Sequence, residues 1–447
     1  MNFDSVREVL LQEAKQAGLE EFEIYFMESS DMTAETLKNE ISSFSSGVSG
    51  GVSFRCIVNG KMGSASTELL TKTEMIALVQ RAIEGAKYIE SDDPALLYAG
   101  ADRYEEVRLP VQRLLGASEL KQKAMTLQKA TYAQSETVAD GTQSGVFANQ
   151  MTMELLNSHG LRLTNRVSVS GAYAQAVIQK DGEAQDGFDF TLDLSEESLS
   201  FVSKNVVSEA ISKVGAKDIS SGKYDVIFSG KEMRALLSAF SSVFSAKNAQ
   251  LGLSLLNGQE GQAVADSSVT LWDDPFRKDC SVQTAFDGEG VATRRKAVIE
   301  KGVLNTLLYD LSTAHKAGVE STGNGQRVGY AESVSIRPYS FYLEGGSLSE
   351  KELRERMADG LYITELKGLH AGCDATTGDF SLESAGYLIQ NGAFSHAVKA
   401  FTIAGNFFDL LKRIEHTANT VHFGIPSGFT VYGAPDVLIR QMSVAGK

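Results

Sequence analysis

The sequence predicts an α+β protein: an N-terminal antiparallel sheet with flanking helices, followed by a C-terminal β-rich domain with a few helices. Strand-like and helix-like segments come in blocks rather than in strict alternation, which is typical of α+β folds with antiparallel sheets. The chain has 447 residues, more than one ordinary core accommodates. The polar stretch at residues 220–223 is the best boundary. We therefore predict domains over residues 1–220 and 221–447.

The N-terminal block begins with apolar residues at helical spacing over residues 4–18 and alternating residues over 22–26. These patterns predict a helix and a half-buried strand. A second alternating run over 52–58 leads into Asn59 and Gly60. This pair is a strong two-residue hairpin signal, so a return strand is expected directly after it.

Three further helices and a strand region complete this block. Thr71 and Glu74 form a capping box ahead of an amphipathic run. Apolar periodicity predicts another helix over residues 117–133, strands between 144 and 179, and a helix over 195–214.

The C-terminal block begins with a strand over residues 224–228 and a helix over about 230–250, followed mostly by short strands. Glycine-containing turns at 300–302 and 390–392 each lie between apolar runs. A last helix is predicted from Asn406, with apolar residues on one face.

The charge of the chain argues against nucleic-acid binding. Its formal net charge is −15, and no dense run of lysine and arginine is present. Phosphate backbones are bound by such runs, and an acidic surface repels them. We expect no nucleic-acid partner.

Cysteine usage and apolar segments indicate a cytoplasmic address. The three cysteines are too few for a disulfide framework in a chain of this length. The first residues lack the basic start and apolar run of a secretory signal. No apolar stretch approaches the roughly 18 residues of a membrane span. The expectation is a cytoplasmic protein that does not contact membranes.

Residue patterns alone give no catalytic centre. Residues 47–51 match the G-x-S-x-G pattern of hydrolases, but a Ser/Gly-rich stretch precedes them, where the motif needs a strand leading in and a helix leading out. We interpret them as a flexible turn. None of the six histidines forms H-E-x-x-H or another short zinc signature. No catalytic residue and no metal ligand is predicted in this chain.

Several segments nevertheless resemble one family over nearly the whole chain. In order and spacing they look like the PmbA/TldD family, whose members were also labelled modulators of DNA gyrase. The acidic charge gives that label no physical support. The segments are FRCIVNGKMG at 54–63, VIEKGVL at 298–304, LYDLSTA at 308–314, STGNG at 321–325, GLYITEL at 360–366, TGDFS at 377–381, IQNG at 389–392 and TIAGN at 402–406.

The resemblance implies two kinds of subunit. The TldD kind holds zinc with H-E-x-x-x-H on a helix and a cysteine near the C-terminus, and the PmbA (TldE) kind lacks these residues. Here Leu237, Ser238 and Ser242 stand where the zinc kind has His, Glu and His. The stretch 421–433 has no cysteine. The chain therefore resembles the PmbA kind.

This resemblance implies a non-catalytic, metal-free subunit of a two-subunit metallopeptidase that processes or degrades unfolded peptides. Its partner would be a TldD-type subunit that carries the zinc, in a heterodimer or a larger assembly. Any enzymatic activity would then require that partner. The alternative is a free-standing homodimer that binds peptides or acts as a scaffold without peptidase activity.

Two loops are the candidate substrate- or partner-facing sites. Each places glycine beside small polar residues, and glycine lets a backbone approach a ligand closely. Alternatively, both loops are tight turns whose side chains cap their own backbone. The candidate residues are Thr322, Gly323 and Asn324 in the first loop and Thr377, Gly378 and Asp379 in the second.

Overall fold

The computed structural model describes residues 3–90, 93–109, 111 and 113–447. The N-terminal region contains a six-stranded antiparallel sheet. Its strands are β1 (Phe22–Leu37), β2 (Glu40–Val58), β3 (Lys61–Thr67), β4 (Gln143–Asn157), β5 (Arg162–Lys180) and β6 (Glu183–Thr191). They are arranged in the order β3-β2-β1-β4-β5-β6, and every pair is antiparallel.

Four helices cover one face of this sheet. They are α1 (Phe3–Gln16), α2 (Lys72–Tyr88), α3 (Ala117–Tyr132) and α4 (Glu196–Ser212). Ile24 and Phe26 of β1 pack with apolar residues of α1 and α2 in one core cluster, and α3 and α4 form a second cluster against the same sheet. Thr71 caps α2 by accepting from the Glu74 backbone N–H, which is one half of the predicted capping box. The Glu74 side chain accepts from Arg81.

The first hairpin is much longer than predicted. The strand expected over residues 22–26 continues to Leu37, because β2 and β4 pair with it on both sides along its length. The chain then reverses at Lys38 and Asn39, both with positive φ, as hairpin turns require.

The prediction of a flexible turn at residues 47–51 was wrong. These residues lie inside β2 and pair with β1. Pairing overrides their weak strand propensity. At Gly50, a Cβ atom would lie 2.5 Å from the carbonyl oxygen of Met27. The glycine therefore serves the close approach of the two strands rather than flexibility.

The C-terminal region is rich in strands. Its strands are β7 (Gly222–Phe228), β8 (Leu271–Asp273), β9 (Lys296–Glu300), β10 (Val303–Leu304), β11 (Gly325–Gln326), β12 (Ser335–Ile336), β13 (Ser340–Leu343), β14 (Gly360–Lys367), β15 (Asp379–Gln390), β16 (Ala393–Asn406), β17 (Ile414–Thr417), β18 (His422–Phe423), β19 (Val431–Ala434) and β20 (Val437–Ala445).

Two six-stranded sheets organise this region, with orders β10-β9-β8-β13-β19-β18 and β16-β15-β14-β7-β20-β17. In the second sheet β16 also pairs with β20, so its strands close into a ring. β7 lies between parallel β14 and antiparallel β20. The predicted α+β fold class, with an N-terminal antiparallel sheet and a β-rich C-terminal part, is confirmed.

The helices of this region are short: α5 (Gly230–Phe240), α6 (Ala246–Gln250), α7 (Leu311–Ala317), α8 (Glu350–Met357), α9 (Leu369–Gly372) and α10 (Phe407–Lys412). The single helix expected over about 230–250 was wrong, because a 3₁₀ turn over Ser241–Phe244 separates α5 from α6. Asn406 caps α10 by accepting from two backbone N–H groups.

The uncovered face of the N-terminal sheet packs on the C-terminal region. Tyr25, Met153 and Leu155 of the sheet share a core cluster with Phe286 and Tyr339. The division into two domains at residues 220 and 221 stays a prediction. Among the helices of the described ranges, none has both the length and the apolar character required to cross a membrane.

Candidate functional site

The positions aligned with the zinc motif lie at the end of α5 and in the 3₁₀ turn that follows. Leu237 is fully buried in the C-terminal core, whereas Ser238 and Ser242 are exposed. An apolar side chain and two hydroxyl groups are not a zinc donor set. The residues present at these positions therefore do not fit a zinc ion.

A cluster of hydroxyl groups adjoins these positions. The Tyr432 hydroxyl donates to Ser241 Oγ at 2.8 Å. Burial raises the pKa of Tyr432, against smaller opposing effects that include Ser241 and Ser238. The phenol therefore stays protonated at neutral pH and acts as a hydrogen-bond donor rather than as a base.

One group of potential metal ligands occurs elsewhere in the described ranges: Glu350, His422 and Asp436, with ligand atoms within 4.8 Å of one another. These groups have partners in the chain itself. His422 Nε2 lies 2.9 Å from Glu350 Oε1. Asp436 accepts from the Gly230 backbone N–H and from the Tyr362 hydroxyl. Ion pairing and hydrogen bonding account for this cluster.

A cavity of about 1050 Å³ lies where β2 and β3 meet the C-terminal region. Arg55 of β2 lines one wall, and Glu289, Asp310 and Arg327 line the others. The ring of Tyr330 also lines the cavity and lies 2.6 Å from where a Cβ atom of Gly51 would be. A side chain at position 51 would push this wall apart.

Behind the cavity wall, one buried carboxylate holds two arginines. Glu23 is fully buried, and its Oε1 accepts from Arg55 Nε at 3.0 Å and from Arg327 Nη2. Arg327 also lies over the ring of Tyr25, with 4.5 Å between the guanidinium carbon and the ring centroid. Because Arg327 comes from the C-terminal region, this ion network joins the two regions of the chain.

Two acidic side chains extend the network. Asp287 accepts from the backbone N–H groups of Glu289, Val291 and Gly325. Glu289 Oε2 accepts from the Leu311 backbone N–H at 2.9 Å. Burial raises the pKa of both carboxyl groups, and for Glu289 the nearby charge of Asp287 adds to this.

The first candidate loop is buried. Asn324 is fully buried and donates to Asp273 Oδ2 at 2.8 Å, while Thr322 donates to Asn324 Oδ1 at 2.7 Å. The Gly323 carbonyl accepts from the Tyr339 hydroxyl. All these bonds lie within the chain. That Thr322, Gly323 and Asn324 face a substrate or a partner stays a prediction.

The second candidate loop lies at the surface. Thr377 and Asp379 are exposed, and Gly378 has a φ of +84°. Asn406 Nδ2 donates to Asp379 Oδ1 at 2.9 Å and to the Thr377 carbonyl at 2.8 Å. The loop is thus a capped turn with exposed polar groups. Contact of Thr377, Gly378 and Asp379 with a substrate or partner also stays a prediction.

The outer edge of β2 is open over more than half of its length. β3 pairs with Val52–Val58 only, and no strand of the described chain pairs with this edge between Glu40 and Gly51. Val48 on this segment is 70% exposed. An open strand edge presents unpaired backbone groups to which an extended peptide can add.

Reasoning from the sequence missed the buried charges. Alternation assigned Glu23 to the polar side of a half-buried strand, yet the C-terminal region covers that side. Asp287 and Glu289 stand beside glycines at 288 and 290, a spacing that equally describes a surface turn. Only the tertiary packing distinguishes the two cases.

The chain matches three models of one family along most of its length. They are PmbA/TldA metallopeptidase domain 1 over residues 22–86, the central domain over 114–214 and the C-terminal domain over 221–446.

Individual relatives agree with these matches. The metalloprotease PmbA of Escherichia coli O157:H7 is 24% identical over 95% of this chain and 92% of that protein. A Thermotoga maritima structure described as a modulator of DNA gyrase is 30% identical, with a TM-score of 0.90 over 99% of this chain and 100% of that one. TldE from Thermococcus kodakarensis, at 22% identity and a TM-score of 0.86 over 99% and 100% of the two chains, shares the fold.

The resemblance first seen in short segments thus extends to complete domains and to a solved structure. The C-terminal model alone spans residues 221–446, which is more than half of the chain. The chain belongs to the PmbA/TldD family of metallopeptidases.

Proposed function

We propose that this chain is the metal-free subunit of a two-subunit peptidase that processes or degrades unfolded peptides in the cytoplasm. The observation that carries the proposal is the residue set Leu237, Ser238 and Ser242 at the positions of the zinc motif. None of these side chains supplies a metal-bound nucleophile or a general base. Hydrolysis would therefore depend on a TldD-type partner that holds the zinc.

The surfaces of the chain support a role in handling extended peptides. The open edge of β2 supplies backbone donors and acceptors, which bind peptides with little regard to sequence. The cavity at the end of this edge is bordered by Tyr330 against Gly51. A subunit with these features would position a peptide while its partner cleaves it.

The test is reconstitution with a relative that carries H-E-x-x-x-H. Cleavage of an unfolded, fluorescence-quenched peptide is measured for each chain alone and for the mixture. We expect no cleavage by this chain alone and chelator-sensitive cleavage by the mixture. Replacing the partner's motif glutamate with glutamine should abolish cleavage, and Ser238→Ala in this chain should not.

Chelator-resistant cleavage by this chain alone would contradict the proposal. So would failure of the two chains to associate or to cleave together. A stable homodimer that binds peptides, shown by light scattering without any association with the partner, would support the scaffold alternative instead.

A further inference from the structure

Glu289 and Asp310 each use only one carboxylate oxygen in hydrogen bonds within the chain. Both residues line the cavity and are nearly buried, with 6% and 7% of their surfaces exposed. The Leu311 backbone N–H donates to Glu289 Oε2. The backbone N–H and the hydroxyl of Thr313 both donate to Asp310 Oδ1. Among the described residues, no group donates to Glu289 Oε1 or Asp310 Oδ2.

The two side chains lie near each other, because Glu289 accepts from the backbone N–H of Leu311, the residue directly after Asp310. Burial, the charge of Asp287 and, to a smaller extent, the charge of Asp310 raise the pKa of Glu289, and the charge of Arg55 opposes them. Two acidic groups with free oxygens in one partly enclosed space repel each other. Without a ligand, a proton on Glu289 relieves this repulsion, because burial and the neighbouring acidic charges raise its pKa. A bound cation would displace that proton and bind to the free oxygens.

The positive charges around the cavity are already matched. Arg55 and Arg327 both pair with Glu23, Arg327 also acts on Asp287, and Arg55 also acts on Glu289. In the wall and directly behind it, two arginines thus lie among four carboxylates: Glu289 and Asp310, which line the cavity, and Glu23 and Asp287 behind them. The wall carries an excess of negative charge when all four are ionised.

The lysines that line the cavity do not reverse this balance. Lys61, Lys247 and Lys316 are all more exposed than Glu289 and Asp310. Lys316 pairs with Asp93. Water screens exposed charges far more than buried ones, so the buried carboxylates dominate the interior.

We infer that Glu289 and Asp310 form a subsite for a cationic group of a bound peptide, either its amino terminus or a basic side chain. This inference rests on the proposed peptide-handling function. An ammonium or guanidinium group donates charge-assisted hydrogen bonds to carboxylates. The subsite would select or orient peptides that the backbone-binding edge of β2 accepts without regard to sequence.

Equilibrium binding of three peptides to the wild-type chain tests the inference. The peptides are five residues long, amidated at the C-terminus and labelled there with a neutral fluorophore. The first has a free amine and no charged side chains, the second is its N-acetylated form, and the third is N-acetylated with one lysine. We expect acetylation to weaken binding about tenfold. Restored affinity in the third peptide identifies a side chain as the source of the cation, and no restoration identifies the amino terminus.

Three variants locate the effect. Glu289→Gln and Asp310→Asn remove the group that can carry the negative charge but keep an oxygen for the Leu311 and Thr313 donors. Each should weaken the cationic peptide about tenfold and leave the neutral peptide unchanged. Glu260→Gln is the matched control. Glu260 also lines the cavity, but Leu307 N–H and the Tyr309 hydroxyl occupy its two oxygens.

Equal binding of all three peptides, or unchanged discrimination in both charge-removing variants, overturns the inference. If one of these two variants fails to fold, peptide discrimination by the other variant tests the inference. Failure of the subsite is separable from failure of the proposed function. Cleavage of the neutral peptide by the mixture with the zinc-type partner tests the function and does not require Glu289 or Asp310.

Discussion

The end of α5 and the wall of the cavity differ in where they place charged groups. The zinc-motif positions at the end of α5 hold a buried leucine and two exposed serines, with Tyr432 as a neighbouring donor. The cavity wall instead contains Arg55, Arg327 and Glu289, and Glu23 and Asp287 lie directly behind it. Buried charges are costly unless they are paired or used. The positions of the family motif therefore do not locate the buried charged groups of this chain.

The largest expected effect comes from Glu23→Gln. Glu23 is the shared partner of two arginines, and its removal leaves their charges buried without a counter-charge. Breaking a buried ion pair in this way costs roughly 3–5 kcal/mol. Urea denaturation measures the loss in the free energy of unfolding. Glu21→Gln is the control, because Glu21 is 44% exposed and should tolerate the change. Equal stability of the two variants would show that the network is not structural.

The next largest effect is expected for Asn324→Ala. This variant removes hydrogen bonds to Asp273 and to the Arg337 carbonyl in a fully buried position. Unsatisfied buried groups cost about 1–3 kcal/mol each. Asp379→Ala, in the exposed loop, serves for contrast and should lose much less stability by the same denaturation assay. The reverse order would mean that the exposed turn is the structural one.

The pH dependence of stability sharpens the picture of the cavity wall. Burial raises the pKa of Glu289 above its ordinary value of 4.5, so the folded chain keeps a proton that the unfolded chain releases. Stability should therefore fall as pH rises above 4.5, by at most about 1.4 kcal/mol per pH unit for one proton. Glu289→Gln should make this decline less steep. The raised pKa of Asp287 still contributes a decline in both proteins. Parallel curves for wild type and variant, from urea titrations at pH 5, 6 and 7, would contradict this account.

The smallest effect is expected at the zinc-motif positions. Ser238→Ala combined with Ser242→Ala removes two exposed hydroxyl groups, and such surface changes usually stay within about 0.5 kcal/mol. Cleavage by the mixture with a zinc-type partner should also be unchanged. A large loss of cleavage in the folded double variant would assign these positions a role in catalysis. It would also contradict the view that functional groups lie at the cavity and not at the end of α5.

Local patterns predicted the parts of the fold that local chemistry determines. The hairpin at Asn59 and Gly60, the cap at Thr71 and the helices α3 and α4 lie where periodicity and capping put them. The length of β1 and β2 was not predictable in this way. Their outer halves are weakly alternating, and their extended conformation depends on pairing with β4 from a distant part of the chain.

The charged residues of the cavity wall could not be predicted from the sequence, for a related reason. Glu23, Glu289 and Arg327 are far apart in sequence, and each resembles an ordinary surface charge in its own segment. Only the packing of the C-terminal region against the sheet makes them neighbours. The zinc-motif positions could be located because the resemblance to the family aligns individual residues. Such an alignment needs the sequence only and no structure.

The ring formed by β7, β14, β15, β16 and β20 has a consequence for synthesis on the ribosome. The N-terminal sheet can complete its pairings once Glu183–Thr191 has emerged. β7 must wait for Val437–Ala445 before its second edge is covered. Such distant pairings form slowly, and open edges in the meantime invite association with other nascent chains. A chaperone that shields β7 during translation would therefore raise the yield of native protein more than one that acts on the N-terminal sheet.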